Sequence, residues 1–304
     1  MTMKLVTILF AFLWFCSCKQ SNKVVKEETI DNDTTTIGWR ISSKEDWLRK
    51  EGLMNVESVV LDKANKVMYA SNGKKYRTGS DGFISKISEN GELLELHWIS
   101  ELNRPTGMAI KDSILYVADV DRLVKININS TKMVGTFQEP IENSGLNDVG
   151  ITEKGEVFVT GSFVHSVFKL KDDKLELWAH DEEKLAWANG LIAHEEGLTV
   201  AGLHIKTIDY GTGAILPFEL GSTMKDFDGL TEDGTGGFFV TTVENSGLYY
   251  INNQKEVTQL IGEEAYCGDL AFDSSSNTLY VPRGSVNKNE FFITVLNLEK
   301  HSQK

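Results

Sequence analysis

Apolar residues in this chain fall in short runs separated by turn residues, and the runs repeat. Each unit opens on a small or acidic polar residue. An apolar stretch follows, then a turn, then a second apolar strand that often carries an aromatic. The units open at Glu57, Thr106, Asn147, Asn189, Asp228 and Gly268, with steps of 49, 41, 42, 39 and 40 residues. Third strands such as 82–87 and 166–170 follow, then fourth strands such as 93–98 and 175–178. Asn90–Gly91, Lys154–Gly155 and Asp233–Gly234 fall between strands, where tight hairpins need residues that tolerate positive φ. No segment keeps a long 3.6-residue periodicity, so helices should be few.

A period near forty residues with four strands is that of a propeller blade. The pattern therefore predicts an all-β, six-bladed β-propeller. The last unit has strands near Leu270, Leu279 and Phe292 and no fourth. Its missing strand is expected from the N-terminal side, between Ile37 and Leu53. That strand would complete the last blade and remove two open sheet edges. Trp98, Trp178 and Trp187 are expected to pack between blades.

The first residues read as a targeting segment. Lys4 precedes an apolar run from Leu5 to Phe15 that ends in Cys16-Ser17-Cys18. The run is too short to span a bilayer and has the layout of an export signal. Ser17 before Cys18 fits a bacterial lipobox, with Cys18 as the lipidated residue. Residues 1–18 are thus read as the signal, 19–36 as a polar tether without periodicity, and 37–304 as one propeller. This places the protein at the bacterial cell envelope, periplasmic or on the outer membrane, touching lipid only through its anchor. Cys267 is then the one cysteine left to the domain, so no internal disulfide forms.

Hydrophobic content of 41% and charged content of 25% are those of a globular protein, and the net charge is −13. That balance argues against nucleic acid as a partner, because phosphate binding needs clustered Lys and Arg. It suits a pocket that holds a cation. In a propeller the first strands line the central channel, so their opening residues converge at one mouth. Glu57, Asn147, Asn189 and Asp228 bring two carboxylates and two carboxamides there, although Asn and Asp are depleted in strands. Oxygen donors without His or Cys select a hard cation: Ca²⁺ first, Mg²⁺ or Mn²⁺ second, as one ion at the channel mouth.

These residues also carry a resemblance. Glu57, Asn147–Asp148, Asn189–Gly190 and Asp228–Gly229, in this order and in register with the repeat, resemble the motifs of the regucalcin, gluconolactonase and luciferin-regenerating-enzyme family. The likeness runs from Val56 to Leu298. It implies a divalent ion held by Glu57, Asn189 and Asp228, with Asn147 on metal or substrate and Asp228 as base or nucleophile. It also implies hydrolysis of a lactone or related ester. Three positions depart from the family pattern. Ser58-Val59 replaces Gly-Pro after the glutamate, Gly145 stands where a substrate-gripping Arg is usual, and Phe227 stands where Pro is usual.

The long segment between Asn72 and Asp81, and a second between Arg283 and Glu290, are expected at the same face. Tyr76, Arg77, Asp148, His165, His204 and Arg283 are therefore candidate pocket residues. Lys74, Lys75, Arg77 and Arg283 would make a basic lip for an anionic small-molecule substrate. The chain is expected to be monomeric. The other function class is a propeller that binds a ligand or protein without chemistry.

Overall fold

The computed structural model describes residues 36–262 and 264–303. The proposed signal, Cys18 and nearly all of the tether lie outside the described residues. Six antiparallel sheets follow one another along the chain as six blades. Blades 1 to 5 each have four strands in simple sequence order, with innermost strands Val59–Asp62, Met108–Lys111, Leu146–Ile151, Leu191–Ala193 and Phe227–Glu232. A single 3₁₀ turn, Ser162–Val164, is the only helical element among the described residues.

Blade 6 closes the ring as expected. Its inner strand is broken into Tyr266–Cys267 and Ala271–Asp273, followed by Thr278–Ser285 and Glu290–Gln303. The N-terminal strand Thr36–Trp47 pairs antiparallel with Glu290–Gln303, from Thr36 opposite Gln303 to Trp47 opposite Ile293. It lies outermost in the blade.

Each sheet is covered on both faces by its neighbours, so its inner strands must be apolar on both sides. Val67–Asn72, Val157–Gly161 and Phe238–Thr242 are buried at every position. Buried side chains gather into six clusters, one at each blade interface. Trp98 packs on Tyr69 within the cluster between blades 1 and 2. Trp178 packs between Phe158 of blade 3 and Tyr210 of blade 4. Trp187 does not follow them: it is 54% exposed at the channel mouth.

Trp39 fastens the closing strand. It is buried, its ring meets Phe239 and Phe272, and its Nε1 donates to Asp233 Oδ2 of blade 5 at 3.0 Å. One side chain therefore ties the outer strand of blade 6 to the neighbouring blade. Trp39→Ala is expected to cost about 3–5 kcal/mol in urea unfolding, the range for large aromatic truncations in a core. Trp39→Phe should recover most of the packing while losing the bond to Asp233.

Candidate functional site at the channel mouth

The innermost strands meet at the axis, and their first residues are stitched blade to blade by the backbone. Asp269 N donates to Glu57 O at 2.7 Å, Gly107 N to Asn147 O at 2.7 Å, and Gly190 N to Asp228 O at 2.9 Å. These bonds join blades 6 and 1, 2 and 3, and 4 and 5. Side chains join the other three pairs. Arg104 donates to Asn55 O, Thr160 Oγ1 to Asn189 O, and Thr241 Oγ1 to Gly268 O. The glycines are needed for the close approach. A Cβ on Gly107 would lie 2.6 Å from Asp148 Cα, and one on Gly190 would lie 2.5 Å from Asp228 O.

The strand registers slip between Leu146 and Val149 in blade 3 and between Phe227 and Leu230 in blade 5. The slips fall on Asn147–Asp148 and Asp228–Gly229. Irregularities of this kind re-aim side chains that regular pleating would point to opposite faces. Asn147 and Asp148 can thus both serve the axis.

Glu57, Asn147, Asn189 and Asp228 do come together at the mouth. Asn189 hydrogen-bonds the Asp228 carboxylate, and the Asp228 charge acts on Glu57. Deeper in the channel, Asp148 and Asp269 come from blades on opposite sides of the ring. Asp148 Oδ2 accepts from Leu191 N at 2.6 Å, and Asp269 Oδ2 accepts from Ser58 Oγ at 2.9 Å. Asp148 therefore braces blade 4 from within the channel rather than the rim of the pocket.

Sequence reasoning missed two members of this site. Asp269 stands one residue past the expected opener Gly268. Arg104 stands two residues before Thr106, where the chain enters blade 2. Asp119 holds the Arg104 backbone, accepting from Arg104 N at 2.8 Å. The guanidinium then donates to Pro105 O and Asn55 O rather than to a carboxylate. The available signals were the Gly268–Asp269 pair, which parallels Asn147–Asp148, and a lone Arg-Pro step beside a repeat opener.

Loss of water raises the pKa of all four carboxylates, and neighbouring carboxylates add to it at Glu57, Asp148 and Asp269. Loss of water raises Glu57 well above the usual range, with Asp228 and Asp269 adding to it and Arg104 opposing. Asp148 is raised by burial and then by Asp269. Asp228 is pushed up to about 6 by desolvation, against the Asn189 hydrogen bond and Arg104. Asp269 reaches about 7 by desolvation and the Asp228 charge, against the Ser58 hydrogen bond. Glu57, Asp228 and Asp269 keep some surface open to the channel, yet protein surrounds them on all sides, so desolvation still dominates.

Beside the ring lies a cleft of about 480 Å³, lined by Tyr76, Asn147, Ser162, Phe163, Trp187, Asn189, Asp226, Phe227, Val243 and Glu244 among others. Tyr76 crosses the mouth from the long loop of blade 1 to blade 3. Its hydroxyl donates to Gly145 O and Leu146 O, each at 2.8 Å, and its ring stands edge-on to Phe163. His165 sits behind the cleft, accepting from Trp187 N at 3.1 Å. His204 is exposed and does not line the cleft.

The basic lip does not form. Lys74, Lys75 and Arg77 are exposed beside Tyr76 but outside the cleft lining. Arg283 is 1% exposed in the second strand of blade 6, with its guanidinium turned to Ala265 O and Cys267. The strand pairing that buries Arg283 against Phe292 turns it inward, where the length of its loop had suggested a rim position.

Comparison with known proteins agrees with this architecture. No family model matches the chain, and no curated protein matches it by sequence. Solved structures do. A gluconolactonase from Xanthomonas campestris is 15% identical, covering 86% of this chain and 91% of its own, with a TM-score of 0.64. A streptogramin B lyase is 13% identical over 87% of this chain and 98% of its own, with a TM-score of 0.59. The Staphylococcus aureus virginiamycin B lyase, solved with quinupristin as a catalytically inactive histidine-to-alanine variant, is 11% identical over 86% and 99%, with a TM-score of 0.58. At such identity the likeness concerns the fold: the chain is a six-bladed propeller of the kind that gluconolactonases use. The fold expected from the repeat is thereby matched in three dimensions.

The raised carboxylates give a signed expectation. Between pH 4 and 7 the folded protein holds protons on Asp228 and Asp269 that the unfolded chain has released. Stability therefore falls as pH rises through that window and levels off above it. In chelator, unfolding free energy should drop from pH 5 to pH 8. Asp269→Asn, which can still accept from Ser58, should lessen the drop by about 1–3 kcal/mol. An unchanged slope in Asp269→Asn would contradict this assignment.

Proposed function

We propose that the chain is a divalent-metal-dependent hydrolase of lactones or related esters, held at the bacterial envelope through Cys18. The observation that carries this reading is Glu57 Oε2. It is a buried carboxylate oxygen without a hydrogen-bond partner, and it belongs to a ring that holds a second carboxylate and two carboxamides. A charged oxygen left unpaired at depth is costly, and a cation is the partner that an oxygen-only donor set would take. Among the described residues no three His, Cys, Asp or Glu side chains cluster as metal ligands. The set would be Glu57 and Asp228, with Asn147 and Asn189 supplying carboxamide oxygens.

Calcium is the first candidate ion, with Mg²⁺ or Mn²⁺ behind it. When bound, such an ion polarises a carbonyl oxygen and balances the carboxylate charge. The chain's own groups do the rest. Asp228, whose ionised form Asn189 and Arg104 favour, accepts a proton from water as the water oxygen attacks the substrate carbonyl carbon. The acyl carbon–oxygen bond then breaks, and the departing alkoxide oxygen takes that proton back from Asp228. Asn189 orients the Asp228 carboxylate through its hydrogen bond. Arg104 favours the ionised forms of both Glu57 and Asp228, which keeps the base available near neutral pH.

The test is calorimetric titration of the chelated protein with calcium, beside Asp228→Asn. Binding to the parent, weakened at least about tenfold in the variant, is expected. Turnover of a lactone should disappear in the variant, with the fold retained by circular dichroism. No binding of calcium, magnesium or manganese would overturn the metal reading. Binding without turnover of any lactone or ester would leave a ligand-binding propeller.

A further inference from the structure

The cleft beside the ring is built for a flat apolar group. Three of its side chains are large, apolar and open to solvent: Phe163 is 46% exposed, Trp187 54% and Val243 59%. Phe163 stands edge-on to both Tyr76 and Trp187, with centroids 5.3 and 6.2 Å away. The aromatics therefore form a continuous stepped shelf from the Tyr76 strap to the outer rim, with the Phe163 ring perpendicular to both neighbours. Asn147 and Asn189 lie in the same cleft, so the shelf ends at the two carboxamides of the ring.

Backbone geometry marks the same residue. Trp187 has φ of 57°, in the left-handed region that bulky side chains avoid. A buried Trp held there would be explained by packing, but this one points out. Strain retained to display an exposed indole is the pattern of a functional surface. His165 Nδ1, accepting from Trp187 N, helps to fix the turn.

The charges indicate what the ligand is not. Among the described residues no Lys, Arg or His lines the cleft, and its charged members are Asp226 and Glu244. Lys225 lies within 3.8 Å of Asp226 and 3.7 Å of Glu244, so its charge is already engaged. Gly145, with φ of 59°, sits under Phe163, and a Cβ there would come 2.7 Å from the Phe163 ring. No longer side chain can reach into the cleft from position 145 while Phe163 stays in place.

We propose that this cleft takes a neutral lactone or ester bearing an aromatic or similarly flat apolar group, which stacks on the Trp187 indole and meets Phe163 edge to face, with its carbonyl over Asn147 and Asn189. This substrate class rests on the hydrolase reading above, but the shelf can be tested without it. A bare sugar lactone would leave the shelf wet and gain nothing from it. A flat ring of ordinary ligand size would fit within the cleft and cover the exposed indole.

The experiment uses the full-length chain, with Trp187→Phe and Trp187→Gly. Dihydrocoumarin serves as the neutral aromatic lactone, its lactam analogue as a non-hydrolysed binding probe, and δ-gluconolactone as the polar comparison. The lactam is expected to quench tryptophan fluorescence and to bind Trp187→Phe nearly as well as the parent. Trp187→Gly should bind it at least about tenfold more weakly. Trp187→Gly should also melt no lower than the parent, since glycine relieves the left-handed backbone. For dihydrocoumarin turnover, KM should rise in Trp187→Gly with little change in kcat.

Lactam binding without turnover of either lactone would keep the shelf and remove the hydrolase reading. Turnover of δ-gluconolactone in preference to dihydrocoumarin, unaffected by Trp187→Gly, would overturn the shelf and keep the hydrolase. Equal lactam binding by the parent and Trp187→Gly, or no binding to either, would also overturn the shelf.

Discussion

Glu57, Asp148, Asp228 and Asp269 share the axis of the ring, and the guanidinium of Arg104 offsets only part of their charge. Everything near the axis follows from accommodating them. Gly107 and Gly229 leave room for the Asp148 and Asp269 side chains, since a Cβ on either would overlap the aspartate of the next blade. Asp148 and Asp269 are each given a donor from the following blade, which turns a repulsive pair into two braces. Arg104 is locked by Asp119 and by two carbonyls, so its charge stays fixed while its bonds to the carboxylates are left unmade. The mouth carboxylates are consequently the least satisfied polar groups of the axis, which is where a cation or a reacting substrate would gain most.

The ring also has an alternation finer than its six blades. Backbone bonds join blades 6 and 1, 2 and 3, and 4 and 5, whereas side chains join the intervening pairs. Ser71, Thr160 and Thr241, in blades 1, 3 and 5, each accept from the inner strand of their own blade through a hydroxyl. The odd blades supply Glu57, Asn147 and Asp228, and blade 4 adds Asn189, so the residues at the mouth come from four of the six blades. The frame is set by apolar packing between sheets, and the chemistry by which blades can spare an inner-strand residue.

This division explains what could be read from the sequence. The blades were legible because each needs its own apolar strands and turns, and the missing strand of blade 6 was a simple deficit. Glu57, Asn147, Asn189 and Asp228 were legible as polar residues opening strands that have no use for them. Asp269 was not, because one residue per blade was assumed, while the broken inner strand of blade 6 brings residue 269 against Ser58 in place of residue 268. Arg104 was hidden because it enters from a connection rather than a strand. Arg283 misled because loop length says little about the direction of a strand residue. Trp187 misled because tryptophan favours burial, whereas here the indole is 54% exposed.

The pairing of Thr36–Trp47 with Glu290–Gln303 sets the order in which the chain can finish folding. The first strand of the domain to be synthesised needs the last as its partner, across a separation that makes closure the slowest contact to find. Until then Thr36–Trp47 is an unpaired edge, the kind of segment that recruits neighbouring molecules. Its composition meets that interval: Arg40, Lys44, Glu45 and Asp46 place charge along it, and in the finished blade Arg40 pairs with Glu299. The same charges that discourage a wrong partner while the chain waits then help to register the right one.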